Sequence, residues 1–193
     1  MGILRALQLK LNQHMEISAL ALNRFLSQHK IIKYYIDGLP PEAITKRLYP
    51  DKWSIHEIIA YLCRYQYIFF SRVKSITSEV NPFFEMYKPD EDTEYKFTVA
   101  KSTGSLLHEI YRIRQEIIIL LENLNEQSAP RIGTHAILGK MTLAQWMEFF
   151  LLHESNQLFK IFKAAGNFWS FGANHDNKFS IPRMHGQVDE LAG

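Results

Sequence analysis

The stretch that decides the fold spans residues 52–62 and reads KWSIHEIIAYL. Ser54 is a favoured residue for the cap of a helix, and Glu57 stands three positions later, where its carboxylate can bond back to the backbone of the cap. Apolar residues follow at steps of three and four positions: Ile55, Ile58, Ile59, Leu62, Phe69, Val73 and Ile76. This capped, periodic pattern predicts a long amphipathic helix that begins at Ser54.

Three other segments show the same helical period. Together with the first, they predict helices over residues 3–35, 54–80, 105–125 and 142–166. Thr142 and Gln145 form a second capping box at the beginning of the last helix. Gly166 is predicted to end that helix, because glycine readily adopts the left-handed conformation of a C-cap.

The segments between these helices predict an all-α fold. Residues 81–101 carry two prolines and the acidic run 90–92, and residues 126–140 carry one proline and two glycines, so both are expected to form connections with little regular structure. We expect a four-helix bundle with long inter-helix connections, since links of roughly 15 to 25 residues exceed those of a plain up-down bundle. The chain divides into a bundle domain, 1–166, and a C-terminal tail, 167–193, that is expected to pack on the bundle or on a partner.

Composition excludes several classes of protein. The 193 residues are 47% hydrophobic and 22% charged, with a formal net charge of +2, which argues against disorder and predicts no nucleic acid as partner. Cys63 is the only cysteine, so no intramolecular disulfide can form, and we expect a cytoplasmic protein. We expect no membrane partner, because no apolar run approaches the ~20 residues that span a bilayer.

Polar residues interrupt the apolar faces of two helices. On the fourth helix one side carries Trp146, Phe150, His153, Gln157 and Ile161, spaced by four, three, four and four residues. The second helix places Tyr61 and Tyr65 on its comparable face. We expect these residues to converge in the core, with Tyr61, Tyr65, Trp146, Phe150, His153 and Gln157 lining a pocket.

Three interpretations of this constellation remain open. A buried polar group without a hydrogen bond costs roughly 1 to 3 kcal/mol, so these groups must bond to one another, to water or to a ligand. Tyr61, His153 and Gln157 can form a hydrogen-bonded cluster that only specifies packing. They can also line a pocket for a small organic molecule, or hold a metal ion.

Two motifs resemble those of the DinB/YfiT-like family of helical bundles. Residues 53–62 are similar to the family pattern W-S-x-x-E-x-x-x-H-L, with Tyr61 at the histidine position. Residues 139–157 are similar to its pattern G-x-x-T-x-x-E-W…H-x-x-x-H, with His153 at the first histidine and Gln157 at the second. The resemblance covers about residues 14–163.

The resemblance implies a metal site in which two of three ligands are replaced. In that family three histidines hold a divalent metal, and members of related branches are thiol transferases or metal-dependent hydrolases. Here only His153 matches, and amide and phenol oxygens are weaker donors to nickel or zinc than imidazole. We therefore expect no metal cofactor. If nickel or zinc does bind, its ligands are expected to be His153 and Gln157 with Tyr61 or His14.

The functional expectation follows from this altered ligand set. We expect a vestigial or repurposed core pocket that binds a small organic ligand without metal. The alternative is a metal-dependent thiol S-transferase or hydrolase of the DinB/YfiT type. By analogy with dimeric relatives we also expect a homodimer.

The other reactive side chains receive structural interpretations. His56 is expected to face water, and His108 lies opposite the apolar face of its helix. His135 is placed on the loop before the fourth helix. Cys63 is interpreted as a structural thiol, because only Arg64 is a cationic neighbour in the sequence. Glu154 points about 100° away from His153 and is interpreted as a surface charge or a partner of the site.

Overall fold

The structure, a computed structural model, describes residues 17–124 and 130–169. Its helices in chain order are α1 (Ala19–Ser27), α2 (Ile31–Ile36), α3 (Pro41–Thr45), α4 (Ile55–Ser78), α5 (Thr93–Val99), α6 (Thr103–Glu122) and α7 (Leu143–Trp169). The helical pair α1 and α2, with α4, α6 and α7, forms the expected four-helix bundle with long connections. Within the described ranges, no helix is long and apolar enough to cross a membrane.

The beginning of α4 has the predicted capping box. The carboxylate of Glu57 accepts a hydrogen bond from the backbone N–H of Ser54 at 2.7 Å, and the Ser54 hydroxyl accepts from the N–H of Glu57 at 3.2 Å. Arg47 also donates to Glu57, and this bond, helped by those from Ser54, lowers the pKa of Glu57 to about 2. The cap therefore starts α4 at the predicted residue.

The first predicted helix is interrupted rather than continuous. A short 3-10 turn, Gln28–Lys30, separates α1 from α2. Just before it, the Ser27 hydroxyl donates a hydrogen bond to the carbonyl of Asn23 at 2.6 Å, a back-bond of the kind that bends helices. The part of this prediction that covers residues 3–16 lies outside the described residues.

The connection 81–101 is more regular than predicted. It contains the strand β1 (Phe83–Phe84), a 3-10 turn (Pro89–Glu91) and α5. The side chain of Asp92 accepts a hydrogen bond from the N–H of Glu94 at 3.0 Å and so caps α5. The expectation of little regular structure was wrong, because the capping residue was interpreted as part of an acidic run.

A small sheet replaces the loop that was predicted before the fourth helix. Strands β2 (Ile132–His135) and β3 (Gly139–Thr142) pair antiparallel, and β1 pairs parallel to β2. Gly133 allows this sheet to approach α4, because a Cβ there would lie 2.8 Å from the side chain of Ile76. The expectation of no strand was wrong, since strands of two to four residues are too short to show an alternating pattern.

The beginning of α7 matches the sequence and its end does not. The N–H of Thr142 donates to Gln145 at 2.9 Å, and the N–H of Gln145 donates back at 3.3 Å. The predicted C-cap at Gly166 is wrong, because α7 continues to Trp169, whose ring lies 5.3 Å from that of Phe162. The division of the chain after residue 166 stays a prediction, and residues 170–193 of the tail lie outside the described residues.

A charged pair lies in the centre of the bundle. Arg114 on α6 and Glu154 on α7 form an ion pair with side chains 0% and 1% exposed. Gln66 of α4 accepts from Arg114 at 3.0 Å and donates to Glu154 at 3.2 Å. Arg114 also donates to the carbonyl of Phe25 at 2.7 Å, and Gln28 donates to Glu154 at 3.0 Å. The interpretation of Glu154 as a surface charge was therefore wrong. The network of hydrogen bonds joins α4, α6 and α7 to the α1–α2 segment.

Candidate functional site

The predicted residues Tyr61, Tyr65 and His153 come together between α4 and α7. The rings of Tyr65 and His153 stack with centroids 4.2 Å apart and an angle of 20° between their planes. The ring of Tyr61 lies 5.5 Å from that of His153 and 5.9 Å from that of Tyr65. One turn further along α7, Gln157 is buried as well. The spacing of these residues along two helices therefore predicted a real cluster.

The polar atoms of this cluster do not bond to one another. The Nε2 atom of His153 and the Oε1 atom of Gln157 are both buried without a hydrogen-bond partner among the described residues. These two atoms therefore do not take part in the hydrogen-bonded packing cluster that was one interpretation of the sequence. Each of them is a buried polar group that a bound molecule could satisfy.

The two other predicted pocket residues occupy different positions. Phe150 stacks on Tyr65 at 6.1 Å and on Phe69 at 4.3 Å, so it belongs to the wall of the cluster. Trp146 lies nearly two turns before His153, where its indole N–H donates to the carbonyl of Gly133 at 3.3 Å. Trp146 therefore anchors α7 against the sheet, one layer away from His153.

Three aromatic residues that the sequence did not assign to the site surround Tyr61. The rings of Trp53, Tyr87 and Tyr95 lie 5.3, 5.7 and 6.3 Å from it. The hydroxyl of Tyr87 donates to Asp92 at 2.9 Å. Asp92 in turn pairs with Arg64 of α4 at 2.6 Å, which fixes the connection over the cluster. The prolines and acidic residues around Tyr87 gave no periodic signal that could have placed it there.

The titratable groups of the site are neutral near pH 7. Burial lowers the pKa of His153 to about 4, and the positive charges of Lys160 and Arg72 act in the same direction. Burial also raises the pKa of Tyr61, helped by Tyr65 and Tyr95. The site consequently offers an uncharged imidazole, protonated phenols and an amide.

These residues do not fit a transition-metal ion. Among the residues that the structure describes, no group of three histidine, cysteine, aspartate or glutamate side chains could hold one. His153 is accompanied by neutral phenols and an amide, all of which are weak donors to nickel or zinc. The sequence candidate His14 lies outside the described residues. The donor set that the structure does describe is therefore unsuited to the metal chemistry implied by the family resemblance.

The other histidines that the sequence singled out have structural surroundings. The ring of His56 bonds to Thr103 at 2.9 Å and to the carbonyl of Val99 at 2.8 Å, so the expectation that it faces water was wrong. His135 ends β2 and is 5% exposed, and its Nδ1 accepts hydrogen bonds from the loop that follows. His108 is exposed on α6, as its position opposite the apolar face predicted.

Cys63 is unsuited to nucleophilic chemistry. Its side chain is fully buried, and the thiol donates to the carboxylate of Glu109 at 3.3 Å. Burial, with a smaller contribution from Glu109, raises the pKa of the thiol to about 12. The thiol therefore stays protonated near pH 7, as its interpretation as a structural residue requires.

His29 is a buried histidine that the sequence analysis missed. It lies in the turn between α1 and α2, 1% exposed, and neither ring nitrogen has a hydrogen-bond partner among the described residues. Burial, together with the charges of Arg114 and Lys30, lowers its pKa to about 3. The ring centroid of His29 lies 5.1 Å from that of Tyr111 on α6.

The fold is a four-helix bundle with a buried cluster of polar and aromatic side chains between α4 and α7. The sequence model of the DinB superfamily matches residues 25–158, and the chain belongs to that superfamily. Its fold is similar to that of YfiT from Bacillus subtilis, described as a probable metal-dependent hydrolase with an unusual four-helix bundle topology.

The likeness to YfiT extends over most of both chains. It has a TM-score of 0.67 at 14% sequence identity and covers 78% of this chain and 86% of the other. At this level of identity the comparison establishes the fold alone. No curated protein matches the chain.

Proposed function

We propose that this chain is a binding protein for a small, planar organic molecule, which it holds at the Tyr61, Tyr65, His153 and Gln157 cluster without a transition metal. The observation that carries the proposal is the pair of unsatisfied atoms, His153 Nε2 and Gln157 Oε1. Each unsatisfied buried group costs about 1 to 3 kcal/mol, and a ligand that bonds to both would recover part of that cost.

The aromatic residues around the cluster favour a planar ligand. Tyr61 is bordered by the rings of Trp53, Tyr87 and Tyr95, and Tyr65 by that of Phe150. Such walls contribute apolar contact area and offset stacking, while a few polar atoms fix the orientation of the ligand. His153 itself is only half-buried, so the cluster lies within reach of solvent on one side.

The polar atoms specify what the ligand must carry. The Oε1 atom of Gln157 is an acceptor and calls for an N–H or O–H group, whereas Nε2 of a neutral imidazole donates or accepts according to its tautomer. Because the pKa of His153 is lowered to about 4, the imidazole is neutral near pH 7 and does not itself supply charge to the site. A ligand with adjacent donor and acceptor atoms meets both requirements.

A metal-dependent transferase or hydrolase is less well supported by this donor set. It would need a second and a third strong donor beside His153, and the described residues at the site offer only phenols and an amide. The experiment therefore also tests whether nickel or zinc binds at His153.

The experiment records the ¹⁵N resonances of the histidine side chains while planar aromatic fragments are added. The proposal predicts fragments that move the Nε2 resonance of His153 and whose binding is lost in His153→Phe. His108→Phe is the matched control, because His108 is exposed on α6 and should leave binding unchanged.

The same titration with nickel and zinc salts tests the metal-dependent alternative. If one equivalent of metal moves the His153 resonances and no fragment does, the proposal is wrong and the metal-dependent class is supported. If neither fragment nor metal binds at His153, the cluster has a packing role alone. The expected homodimer stays a prediction that sedimentation of the full chain would test.

A further inference from the structure

Arg72 is a buried cation on the same helix as Tyr61 and Tyr65. It lies two turns beyond Tyr65 on α4 and is only 6% exposed. One of its guanidinium nitrogens donates to the backbone carbonyl of Glu85 at 2.7 Å. This partner is neutral, so the hydrogen bond leaves the positive charge without a counter-ion.

No acidic side chain within the described ranges forms an ion pair with Arg72, since each of the described ion pairs joins other residues. The contrast with Arg114 is direct, because that arginine, which is also buried, pairs with Glu154. A buried charge is expensive unless it is paired, and most proteins pair it. Arg72 is therefore the buried cation of this bundle that an external anion could complete.

The surroundings of Arg72 hold the guanidinium in place. Its central carbon lies 5.6 Å from the ring centroid of Phe84 and 5.4 Å from that of Trp146. Such cation–π contacts orient a guanidinium but do not neutralise it. The planar donor fork of arginine matches a carboxylate with two parallel hydrogen bonds, so a fixed guanidinium is well suited to bind one.

The charge of Arg72 acts on the proposed site. Burial raises the pKa of Tyr65, and Arg72 beside its hydroxyl opposes part of that rise. Arg72 also contributes, after burial and Lys160, to the lowered pKa of His153. Asp92, which accepts a hydrogen bond from Tyr87 beside the cluster, is paired with Arg64 and not with Arg72.

We infer that the molecule bound at this site is an organic anion, whose carboxylate pairs with Arg72 while its planar part contacts Tyr65 and His153. This inference rests on the proposed function and names the class of its ligand. Arg72 is thereby assigned as a specificity-determining residue, because the other deeply buried arginine near the cluster, Arg114, is already paired with Glu154.

The experiment compares two pairs of probes that share a shape and differ in charge. Benzoate with benzamide, and phenylacetate with phenylacetamide, are titrated into the full chain by isothermal calorimetry at pH 7. The inference predicts that the carboxylates bind at least about tenfold more tightly than the amides, as a charge-assisted pair with arginine would give.

The variants separate charge from packing. Arg72→Met keeps the length of the side chain and should abolish the preference for carboxylate, whereas Arg72→Lys keeps the charge and should retain part of it. Arg112→Met is the matched control, because Arg112 is exposed on α6 and pairs with Glu116. Circular dichroism checks that each variant is folded.

The outcomes distinguish this inference from the proposed function. Equal binding of carboxylates and amides that is lost in His153→Phe overturns the anion inference and leaves the proposed function standing. A carboxylate preference that persists in folded Arg72→Met also overturns the inference. If no probe binds, neither the site nor its charge preference exists as proposed.

Discussion

Two buried polar clusters lie on different sides of α7, and they are built differently. Around Glu154, every charge meets a partner: the carboxylate receives hydrogen bonds from Arg114, Gln66 and Gln28. Around the adjacent residue His153, two buried polar atoms have no partner among the described residues. Consecutive residues of one helix can therefore differ in whether their polar groups are satisfied, because they face different neighbours.

The satisfied cluster should dominate stability. Arg114→Met leaves the carboxylate of Glu154 buried and unpaired, and breaking a buried ion pair in this way costs about 3–5 kcal/mol. We expect a loss of that size in the free energy of unfolding, measured by urea titration. The exposed control Arg112→Met should change the free energy of unfolding by less than about 0.5 kcal/mol. Equal effects of the two substitutions would contradict the comparison.

Two glutamine substitutions should have opposite effects. Gln66→Leu removes a residue that bonds to both Arg114 and Glu154, so it should destabilise the fold by about 1–3 kcal/mol. Gln157→Leu removes a buried acceptor without a partner and should leave stability unchanged or raise it by up to about 1 kcal/mol. Urea titration of both variants tests the contrast, and a large loss in Gln157→Leu would show that this amide is satisfied.

The unsatisfied cluster should make stability depend on pH. Between pH 6.5 and about 4 the unfolded chain protonates His153 and the folded chain does not, because the pKa of His153 falls to about 4 on folding. Above pH 6.5 His153 therefore does not reduce the free energy of unfolding. As the pH falls from 6.5 to about 4, protonation of the unfolded chain lowers that free energy. The slope is at most about 1.4 kcal/mol per pH unit.

His153→Phe should make that dependence shallower. His29, with a pKa lowered to about 3, contributes a similar loss that reaches slightly lower pH and remains in the variant. The measurement is urea unfolding at several pH values between 4 and 7, with His108→Phe as control. An unchanged pH profile in His153→Phe would mean that this imidazole is not buried as described.

The smallest expected effect concerns the connection that covers the site. Tyr87→Phe removes the hydrogen bond to Asp92, worth about 0.5–1.5 kcal/mol, and should loosen residues 85–92. Hydrogen exchange of these backbone amides should accelerate, while exchange in α4 should not. Tyr49→Phe is the control, since Tyr49 is 61% exposed. Acceleration spread evenly over the bundle would instead indicate global destabilisation.

Local sequence signals predicted the long helices and those residues of the candidate site that lie on α4 and α7. The capping boxes at Ser54 and Thr142 place the beginnings of α4 and α7, and spacings of three and four residues place Tyr61, Tyr65 and His153 on facing sides. These features depend on residues close together in the chain, so they could be inferred from the sequence.

The rest depends on neighbours that are distant in the sequence. Glu154 was considered for the surface because it lies outside the apolar stripe of its helix, yet α7 has neighbours on more than one side and Arg114 meets it there. Tyr87 and Tyr95 reach the site from a connection without periodicity. The missing counter-ion of Arg72 can likewise be seen only when all surrounding side chains are placed.

The most direct test of metal-free ligand binding identifies what the chain carries at His153. The full chain is purified without chelator or metal-affinity tag and examined by native mass spectrometry and elemental analysis, beside His153→Ala. We expect a small organic molecule that is lost in the variant, and no stoichiometric nickel or zinc. One nickel or zinc ion per chain, also lost in the variant, would contradict it.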